Sequence, residues 1–434
     1  MATFRLNPTI VSVRIPGRSL RVSTIVVVLN VHCHPANLID EESIMSSPTA
    51  SPQPKNSDDP LRLMDVDYVQ FYVGNAKQAA YFYAQAFGFE IEQISDLTTG
   101  ARDAASYLLT QGNIRFLLTT GLTSEHPAQQ EVLLYGDGIK DIAFTVEDST
   151  SAYEKALSNG AESAYQPIEI TDERGTIVKS GIKSFGRVVH SFISRTGKYE
   201  LENVKQRAEQ FLPGFKIADD LAINRYNREN PTGLFYVDHC VGNVPIGQMD
   251  VWVKWYEDVL GFKLFKHFDA EDISTEYTAL MSKVMDSGRE LIKIPINEPA
   301  EGRNKSQIEE YLDWHNNTAG IQHLALLTKD EVNTVGELRQ RGVDFLSIPD
   351  TYYDIVWDRV GGIKEDVEKI KDLRVLVDRD DKGYLLQIFT KPLQDRPTMF
   401  FEIICRRGSE SFGKGNFKAL FESLELEQAK RGNL

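Results

Sequence analysis

The stretch GIQHLALLT, at Gly320–Thr328, repeats a pattern that the chain already carries as GIKDIAF at Gly138–Phe144. A second pair of matching stretches is YAQAFGF at Tyr83–Phe89 and YEDVLGF at Tyr256–Phe262. In both pairs the order along the chain is the same. Internal self-similarity of this kind indicates an architecture built from repeated units. The sequence therefore predicts two similar halves.

Each half is predicted to contain two β-α-β-β-β units. Near the start, DVDYVQFYV (Asp65–Val73) alternates apolar and polar residues like a strand, and Ala76–Phe87 has helical spacing with Gly88 as its stop. The second half opens in the same way, with a strand at Phe235–Val241 and a helix at Asp250–Leu260. The predicted fold class is α+β, with four β-α-β-β-β units that form two similar open-barrel halves and a C-terminal lid helix.

Length and composition limit the classes of function. The 434 residues exceed one ordinary core and suit a pair of similar halves. A formal net charge of -15 argues against a nucleic-acid surface and favours a small-molecule or protein partner. No apolar run reaches the roughly 20 residues that span a bilayer. Three widely spaced cysteines, Cys33, Cys240 and Cys405, form no disulfide framework, so an intracellular compartment is predicted.

The N-terminal residues 1–44 allow two interpretations. They are rich in arginine and hold no acidic residue before Asp40, which is typical of an organelle transit peptide. Alternatively, they are a translated upstream stretch, with Met45 as the real start. Residues 46–60 are then a Ser- and Pro-rich tail that is predicted to be disordered. Unless residues 1–44 direct the chain to an organelle, we expect a cytoplasmic protein.

Alignment of the two halves singles out a candidate metal site. Two imidazoles and one carboxylate on one face suit iron(II) with open coordination positions. Each of these three side chains lies mid-strand among apolar neighbours. A polar group there needs a partner, and a shared metal ion would be that partner. Zinc or manganese could use similar ligands, and any one histidine alone would more readily be a satisfied core residue. The ligands are His239, His323 and Glu402, which align with Tyr68, Asp141 and Ser191 of the first half.

The second half also carries a series of longer motifs in one order. The paired halves look like the vicinal oxygen chelate superfamily, and within it the second half closely resembles the 4-hydroxyphenylpyruvate dioxygenase family. The first half resembles that family more loosely, and residues 1–60 do not resemble it. The motifs are DHCVGNV (238–244), PINEP (295–299), KSQIEEYL (305–312), GIQHLAL (320–326), LLQIFTKP (385–392), DRPTMFFEII (395–404) and FGKGNFKALFES (412–423).

This resemblance implies an activity. 4-Hydroxyphenylpyruvate and O2 would be converted to homogentisate and CO2, a step of tyrosine catabolism, by oxidative decarboxylation, ring hydroxylation and side-chain migration at Fe(II). The same triad would hold the metal and be catalytic. Relatives suggest a homo-oligomer, either a dimer or a tetramer, and no nucleic-acid or membrane partner is expected. The implied substrate pocket contains Ser282, Asn297, Gln307, Gln322, Gln387, Phe389, Phe400, Phe412, Asn416 and Phe417, with Thr278 as an alternative to Ser282.

The C-terminal segment has a pattern of its own. Apolar residues at 417, 420, 421 and 424 predict an amphipathic helix, with Asn416 as its N-cap and Gly432 past its end. Ordinary packing of a terminal helix would give the same pattern. The preceding FGKG sequence and the resemblance favour a lid that keeps water from the metal. Three other histidines, His126, His267 and His315, lie in polar stretches and are predicted to be solvated.

Four segments follow from these patterns. Residues 1–60 are predicted to be a disordered or targeting extension, and residues 61–201 a vicinal-oxygen-chelate-like domain without metal. Residues 202–232 connect this domain to residues 233–434, the catalytic domain with the iron site and the lid helix.

Three other functions stay open. 4-Hydroxymandelate synthase shares the fold, metal and substrate but hydroxylates the benzylic carbon, and PINEP with the aromatic pocket favours ring attack instead. An extradiol ring-cleaving dioxygenase would also use two histidines and a carboxylate, but the C-terminal lid argues against it. A non-enzymatic binding protein is disfavoured by the intact triad.

Overall fold

Two mixed β-sheets, one in each half of the chain, carry the fold. The structure is a computed structural model and describes residues 59–202, 210–218, 220–269, 279–288, 291–300 and 302–432. The predictions on residues 1–44 and on the tail at 46–58 lie outside the described residues, as does Thr278.

Within the residues that the structure describes, the first half contributes the nine strands of the first sheet and three longer helices. A short 3-10 turn at Gly197–Tyr199 follows the last of its long strands. The elements are β1 (Asp65–Tyr72), α1 (Ala76–Phe87), β2 (Glu90–Ser95), β3 (Ala104–Gln111), β4 (Ile114–Gly121), α2 (Pro127–Tyr135), β5 (Gly138–Thr145), α3 (Ser149–Ser158), β6 (Ser163–Asp172), β7 (Gly175–Lys183), β8 (Val189–Arg195) and β9 (Lys216–Ile217).

The second half begins after a helix in the connecting segment, α4 (Ala222–Glu229). Its α5 continues as one π-helical turn at Tyr256–Leu260, and a 3-10 turn at Lys414–Asn416 precedes the last helix. The elements are β10 (Leu234–Asn243), α5 (Met249–Trp255), β11 (Lys263–Phe268), β12 (Ala279–Asp286), β13 (Lys293–Ala300), α6 (Gln307–Trp314), β14 (Gly320–Thr328), α7 (Glu331–Gln340), α8 (Asp350–Val360), α9 (Val367–Asp372), β15 (Leu376–Arg379), β16 (Tyr384–Phe389), β17 (Phe400–Arg407) and α10 (Phe417–Lys430).

The order of strands confirms the repeat. The first sheet runs β6-β7-β8-β5-β1-β4-β3-β2-β9 and the second β11-β12-β13-β10-β14-β17-β16-β15. In each sheet the opening strands of two β-α-β-β-β units pair antiparallel at the centre, β1 with β5 and β10 with β14. The predicted α+β class with four such units is therefore confirmed. Helices α8 and α9, inserted before β15, were not predicted.

Local sequence signals place the helices. The side chain of Asn75 accepts a hydrogen bond from the backbone N–H of Gln78 and caps α1. Gly88 ends the same helix at a φ of 80°, a left-handed conformation that glycine adopts without a steric penalty. The predicted helix start and stop are thus both confirmed for α1.

One aromatic cluster joins the two halves. The ring of Phe401, on β17, lies 5.8 Å from that of Tyr83, 5.1 Å from Phe87 and 5.7 Å from Phe116. Because neighbouring residues of a strand point to opposite faces, Glu402 is turned to the other side of the sheet. The first half therefore supports the strand that delivers Glu402.

Candidate metal centre and substrate cavity

Three neighbouring strands at the centre of the second sheet carry the predicted metal ligands. His239 lies on β10, His323 on β14 and Glu402 on β17. Ala325 of β14 is the register partner of His239 on one side and of Glu402 on the other. Because residues two apart on a strand share a face, His323 points to the same side as Ala325. The small Ala325 side chain leaves the space into which the three ligands converge.

The ligand atoms of the three side chains lie close together. The Oε2 atom of Glu402 lies 3.2 Å from Nε2 of His239 and 3.4 Å from Nε2 of His323. One ligand atom of each residue lies within 4.8 Å of the others, and all three side chains are buried. Among the residues that the structure describes, this is the one group of three or more histidine, cysteine, aspartate or glutamate side chains that could hold a metal ion.

The outward nitrogens of both imidazoles are held in place. Nδ1 of His239 lies 2.8 Å from Oδ2 of Asp238, and Nδ1 of His323 lies 3.0 Å from Oε1 of Gln322. A carboxylate and an amide oxygen accept hydrogen bonds, so each Nδ1 carries the proton. Each Nε2 lone pair is then directed at the common point, which is how metal-ligating histidines are oriented.

Charge is balanced around the site despite its burial. Burial opposes the charged form of Asp238, but Arg406 holds the pKa of that carboxyl well below its usual value. Burial also opposes the charge on Glu402, yet the imidazoles of His239 and His323 lower its pKa. Glu402 is therefore an anion beside two imidazole nitrogens, a donor set that fits a divalent cation.

A cavity opens directly beside the three ligands. Its walls include every residue that the sequence placed in the substrate pocket except Asn416. The predicted residues on its walls are Ser282, Asn297, Gln307, Gln322, Gln387, Phe389, Phe400, Phe412 and Phe417. Residues that the sequence did not assign to the pocket are Val241, Phe268, Leu280, Val284, Pro295, Leu420, Phe421 and Leu424. The last three belong to the amphipathic helical pattern, which was the signal available for finding them.

Apart from Oε1 of Gln322, which is bound to His323, the glutamine side chains in this cavity are only loosely engaged. Nε2 of Gln322 lies 3.5 Å from Oε1 of Gln307, at the outer limit of a hydrogen bond. The Oε1 atom of Gln387 is buried and has no hydrogen-bond partner among the described residues. Buried polar groups are normally satisfied, so these amides are free to bind a polar group of a ligand.

Phenylalanine rings surround the imidazoles. Phe400 stacks on His323 with ring centroids 4.8 Å apart, and Phe389 meets the same imidazole edge-on at 6.0 Å. Phe412 lies edge-on to His239 at 5.1 Å. These contacts create an apolar wall beside the metal ligands that suits a planar aromatic ligand.

The C-terminal helix α10 covers the cavity, and one detail of its prediction was wrong. Asn416 stands at the N-cap position, but its side chain makes no capping hydrogen bond. Its Oδ1 instead accepts hydrogen bonds from the Tyr352 hydroxyl at 2.7 Å and from Nη2 of Arg359 at 3.2 Å. The preceding Gly413 has a φ of 76°, and a Cβ there would lie 2.4 Å from the amide of Gln387. The start of α10 is therefore tied to α8 and fitted closely to the cavity wall.

The equivalent point of the first half is closed by its own side chains. Asp141 accepts hydrogen bonds from the Tyr68 hydroxyl at 3.4 Å and from the backbone N–H of Ser191 at 3.0 Å. The Ser191 hydroxyl also bonds to Asp141, and Lys179 Nζ stands 3.9 Å from that carboxylate. The residues that the alignment paired with the metal ligands do meet, but they satisfy one another.

The predictions for two histidines outside the site, His315 and His267, have different outcomes. His315 was predicted to be solvated, and this was wrong: it is 4% exposed, and its ring lies 5.0 Å from those of Tyr135 and Tyr311. Stacking by two tyrosines, one of them distant in sequence, buries a histidine whose neighbours in the chain are polar. His267 is exposed, as expected.

Comparison with known proteins identifies the superfamily and the family of the chain. It matches the Glyoxalase/Bleomycin resistance protein/Dioxygenase superfamily over residues 65–189 and 236–388. It is 44% identical over 383 residues to the 4-hydroxyphenylpyruvate dioxygenase of Tetrahymena thermophila, covering 86% of this chain and 92% of the relative. The chain belongs to the 4-hydroxyphenylpyruvate dioxygenase family. The 4-hydroxyphenylpyruvate dioxygenase of Caenorhabditis elegans is 45% identical over 375 residues, covering 85% and 93% of the two chains.

Solved structures agree on the fold of this 4-hydroxyphenylpyruvate dioxygenase family member. A mutant of 4-hydroxymandelate synthase from Streptomyces coelicolor superposes with a TM-score of 0.72 at 28% identity. The match covers 85% of this chain and 99% of that one. The predicted superfamily and the prediction of an enzyme, a dioxygenase, are therefore confirmed. No described helix is long and apolar enough to cross a membrane.

Proposed function

We propose that this chain converts 4-hydroxyphenylpyruvate and O2 to homogentisate and CO2, with iron(II) held by His239, His323 and Glu402. The observation that carries the proposal is the convergence of two Nε2 atoms and one carboxylate oxygen at the wall of an aromatic and amide-lined cavity. Two imidazoles and one carboxylate are the ligands of iron(II) oxygenases that leave coordination positions open. When bound, iron(II) would supply those open positions and the redox chemistry that oxygen requires.

The cavity favours a substrate that reaches the metal through its carboxylate. None of the described residues that line the cavity is a lysine or an arginine. A buried carboxylate without a counter-charge would be costly. We therefore propose that the 2-oxo acid group faces the cation that the three ligands would hold, and that the ring extends towards the amides.

The remaining residues would bind and orient this substrate. Phe389, Phe400 and Phe412 present an apolar wall for the ring, as their contacts with the imidazoles indicate. The amides of Gln307, Gln322, Gln387 and Asn297 and the hydroxyl of Ser282 would bind the phenol. Phe417 and the rest of the inner face of α10 would exclude water during turnover. Asn416 would contribute by holding α10 in its place.

The decisive experiment identifies the product. Protein loaded with Fe(II) under anaerobic conditions is given 4-hydroxyphenylpyruvate and then O2. The product is separated by chromatography and identified by mass spectrometry. We expect homogentisate. His323→Ala should lose both its iron binding and its turnover, since a metal ligand is lost. His267→Ala, at an exposed histidine, is the matched control and should retain both properties.

4-Hydroxymandelate synthase activity is the second candidate, favoured by the structural match with that enzyme. The metal ligands do not determine which carbon is hydroxylated. Only the cavity walls distinguish ring hydroxylation from benzylic hydroxylation. Hydroxymandelate without homogentisate would overturn the first proposal and establish this one.

We also propose the larger organisation. Residues 61–201 would form the first domain and residues 233–434 the catalytic one, joined by residues 202–232. The protein would act in the cytoplasm as a homodimer or homotetramer, without a nucleic-acid partner. Light scattering coupled to size-exclusion chromatography measures the oligomeric state directly, and a monomeric mass would contradict it.

A further inference from the structure

A second cleft, of about 580 Å³, opens on the first half beside the closed counterpart of the metal site. Its walls carry an excess of positive charge, although the whole chain has a net charge of -15. The charged residues that line it are Lys140, Lys179, Lys183 and Arg187 against Glu131 and Asp141. A concentration of cations in an acidic protein indicates a local preference for anions.

Two of these cations are already satisfied. Lys140 lies 2.7 Å from Oε1 of Glu131 and donates to the carbonyl of Arg187 at 2.9 Å. Lys183 pairs with Glu162 at the rim of the cleft. Neither lysine therefore needs a further partner.

Arg187 lacks such partners. Its side chain is 3% exposed, and Nε, Nη1 and Nη2 have no hydrogen-bond acceptor among the described residues. The nearest carboxylate oxygen is Oε2 of Glu131 at 3.8 Å, on a side chain that Lys140 already holds. A buried guanidinium that leaves its donors unpaired is costly, so an acceptor is expected to reach it.

Lys179 is the second underused cation. Its Nζ approaches Asp141 only to 3.9 Å, which is too long for a hydrogen bond. The rings of Tyr68 and Tyr165 lie 5.4 and 5.3 Å from this ammonium, and no hydrogen bond from it is present among the described residues. The cleft thus offers two cationic groups whose donors are not filled.

The remaining walls are aromatic. Tyr72, Tyr135 and Tyr165 all line the cleft, and the Tyr135 ring lies 5.2 Å from the Arg187 guanidinium. A carboxylate offers two oxygens that match the geometry of a guanidinium, and tyrosine rings pack against a planar ring. We infer that this cleft is a second, non-catalytic site that binds a small aromatic carboxylate between Arg187 and Lys179. The inference stands whichever product the metal site forms.

Benzoate is the first probe, titrated calorimetrically into the full-length, iron-loaded protein under anaerobic conditions. We expect Arg187→Gln and Lys179→Met each to weaken a benzoate site by at least about tenfold, because each removes one charged donor. Lys155→Ala, at an exposed lysine that does not line the cleft, is the matched control and should change the Kd less than twofold. Benzoate bound only in the metal-site cavity would be indifferent to all three variants, and that result would overturn the inference.

Further arms distinguish the chemistry. Acetate should bind at least about tenfold more weakly than benzoate, because it cannot use the tyrosine rings; equal affinities would overturn the aromatic part of the inference. Homogentisate and phenylacetate, titrated separately, distinguish a hydroxylated product from a simple aryl acid as the better occupant. Should Arg187→Gln fail to fold, judged by its thermal transition, Lys179→Met tests the same site independently.

Discussion

Arg406 donates two hydrogen bonds to the two carboxylate oxygens of Asp238, from Nε at 2.8 Å and from Nη2 at 2.7 Å. The same carboxylate holds Nδ1 of His239. In the first half, Arg195 is joined to Asp67 by the same pair of nitrogens, at 3.2 and 2.7 Å, but the residue after Asp67 is a tyrosine. The repeat thus supplies one ion pair next to a proposed metal ligand, His239, and an equivalent ion pair next to Tyr68.

Asp238→Asn should weaken iron binding by roughly 10–100-fold, because His239 loses the carboxylate that fixes its proton and its ring. It should also lower stability by up to about 3–5 kcal/mol, since Arg406 is left without its charge partner. Metal titration and urea unfolding measure the two effects. Asp67→Asn is the matched control, and we expect the loss of stability without the loss of iron affinity. Equal loss of iron affinity in both variants would show that the effect is global.

Gln322→Leu should lower iron affinity by roughly tenfold, because Nδ1 of His323 loses its acceptor. Gln387→Leu removes another cavity amide, but one that touches no metal ligand, and should leave iron affinity within about twofold. Both variants should raise the KM for the substrate if the amides bind its phenol. An unchanged iron affinity in Gln322→Leu would contradict the orienting role of this amide.

Stability should fall as the pH drops from 6.5 towards 4. Burial lowers the pKa of His190 to about 4, and burial with the nearby Arg187 lowers that of His315 to about 4. Both stay neutral in the folded chain, whereas the unfolded chain takes up protons below pH 6.5. Each should therefore contribute a slope of about 1.4 kcal/mol per pH unit in that window.

Urea unfolding at pH 7 and pH 5 measures this dependence. His190→Gln and His315→Gln should each remove part of the slope, which is read as the difference between the two pH values within each variant. His267→Gln, at an exposed histidine, should leave the slope unchanged. A slope that survives both buried substitutions would assign the dependence to other groups.

Tyr352→Phe should loosen the start of α10, because Asn416 loses the hydroxyl that holds its Oδ1 at 2.7 Å. We expect a loss of about 1 kcal/mol in stability and a fall in the homogentisate formed per O2 consumed, since water enters the cavity more readily. Tyr353→Phe is the control, because its hydroxyl donates to the carbonyl of Val375 at 3.1 Å and not to Asn416. Unchanged coupling in Tyr352→Phe would exclude a positioning role for this tyrosine.

Much of the site could be predicted because it follows from periodicity. The repeat placed His239 and His323 on corresponding strands, and the alternation of side chains along a strand then brought them to one face with Glu402. The face of α10 that lines the cavity followed in the same way from helical spacing.

What escaped prediction depends on contacts between distant segments. Asn416 looked like a cap in isolation, but its oxygen is bound by Tyr352 on α8, a helix that the sequence did not reveal. His315 lies among polar neighbours in the chain, but tertiary packing buries it between two rings. Neither outcome can be read from local pattern, because the partner that decides it lies elsewhere in the sequence.

The Phe401 ring has a practical consequence for anyone who wishes to shorten this enzyme. Tyr83, Phe87 and Phe116 enclose it, and all three belong to the first half, away from the proposed metal site. Deleting that half would expose the Phe401 side chain on the strand that carries Glu402. The exposed ring would promote aggregation, and the Glu402 carboxylate would no longer be held in position. The first half is thus a support that a minimal catalyst would have to replace with another apolar surface.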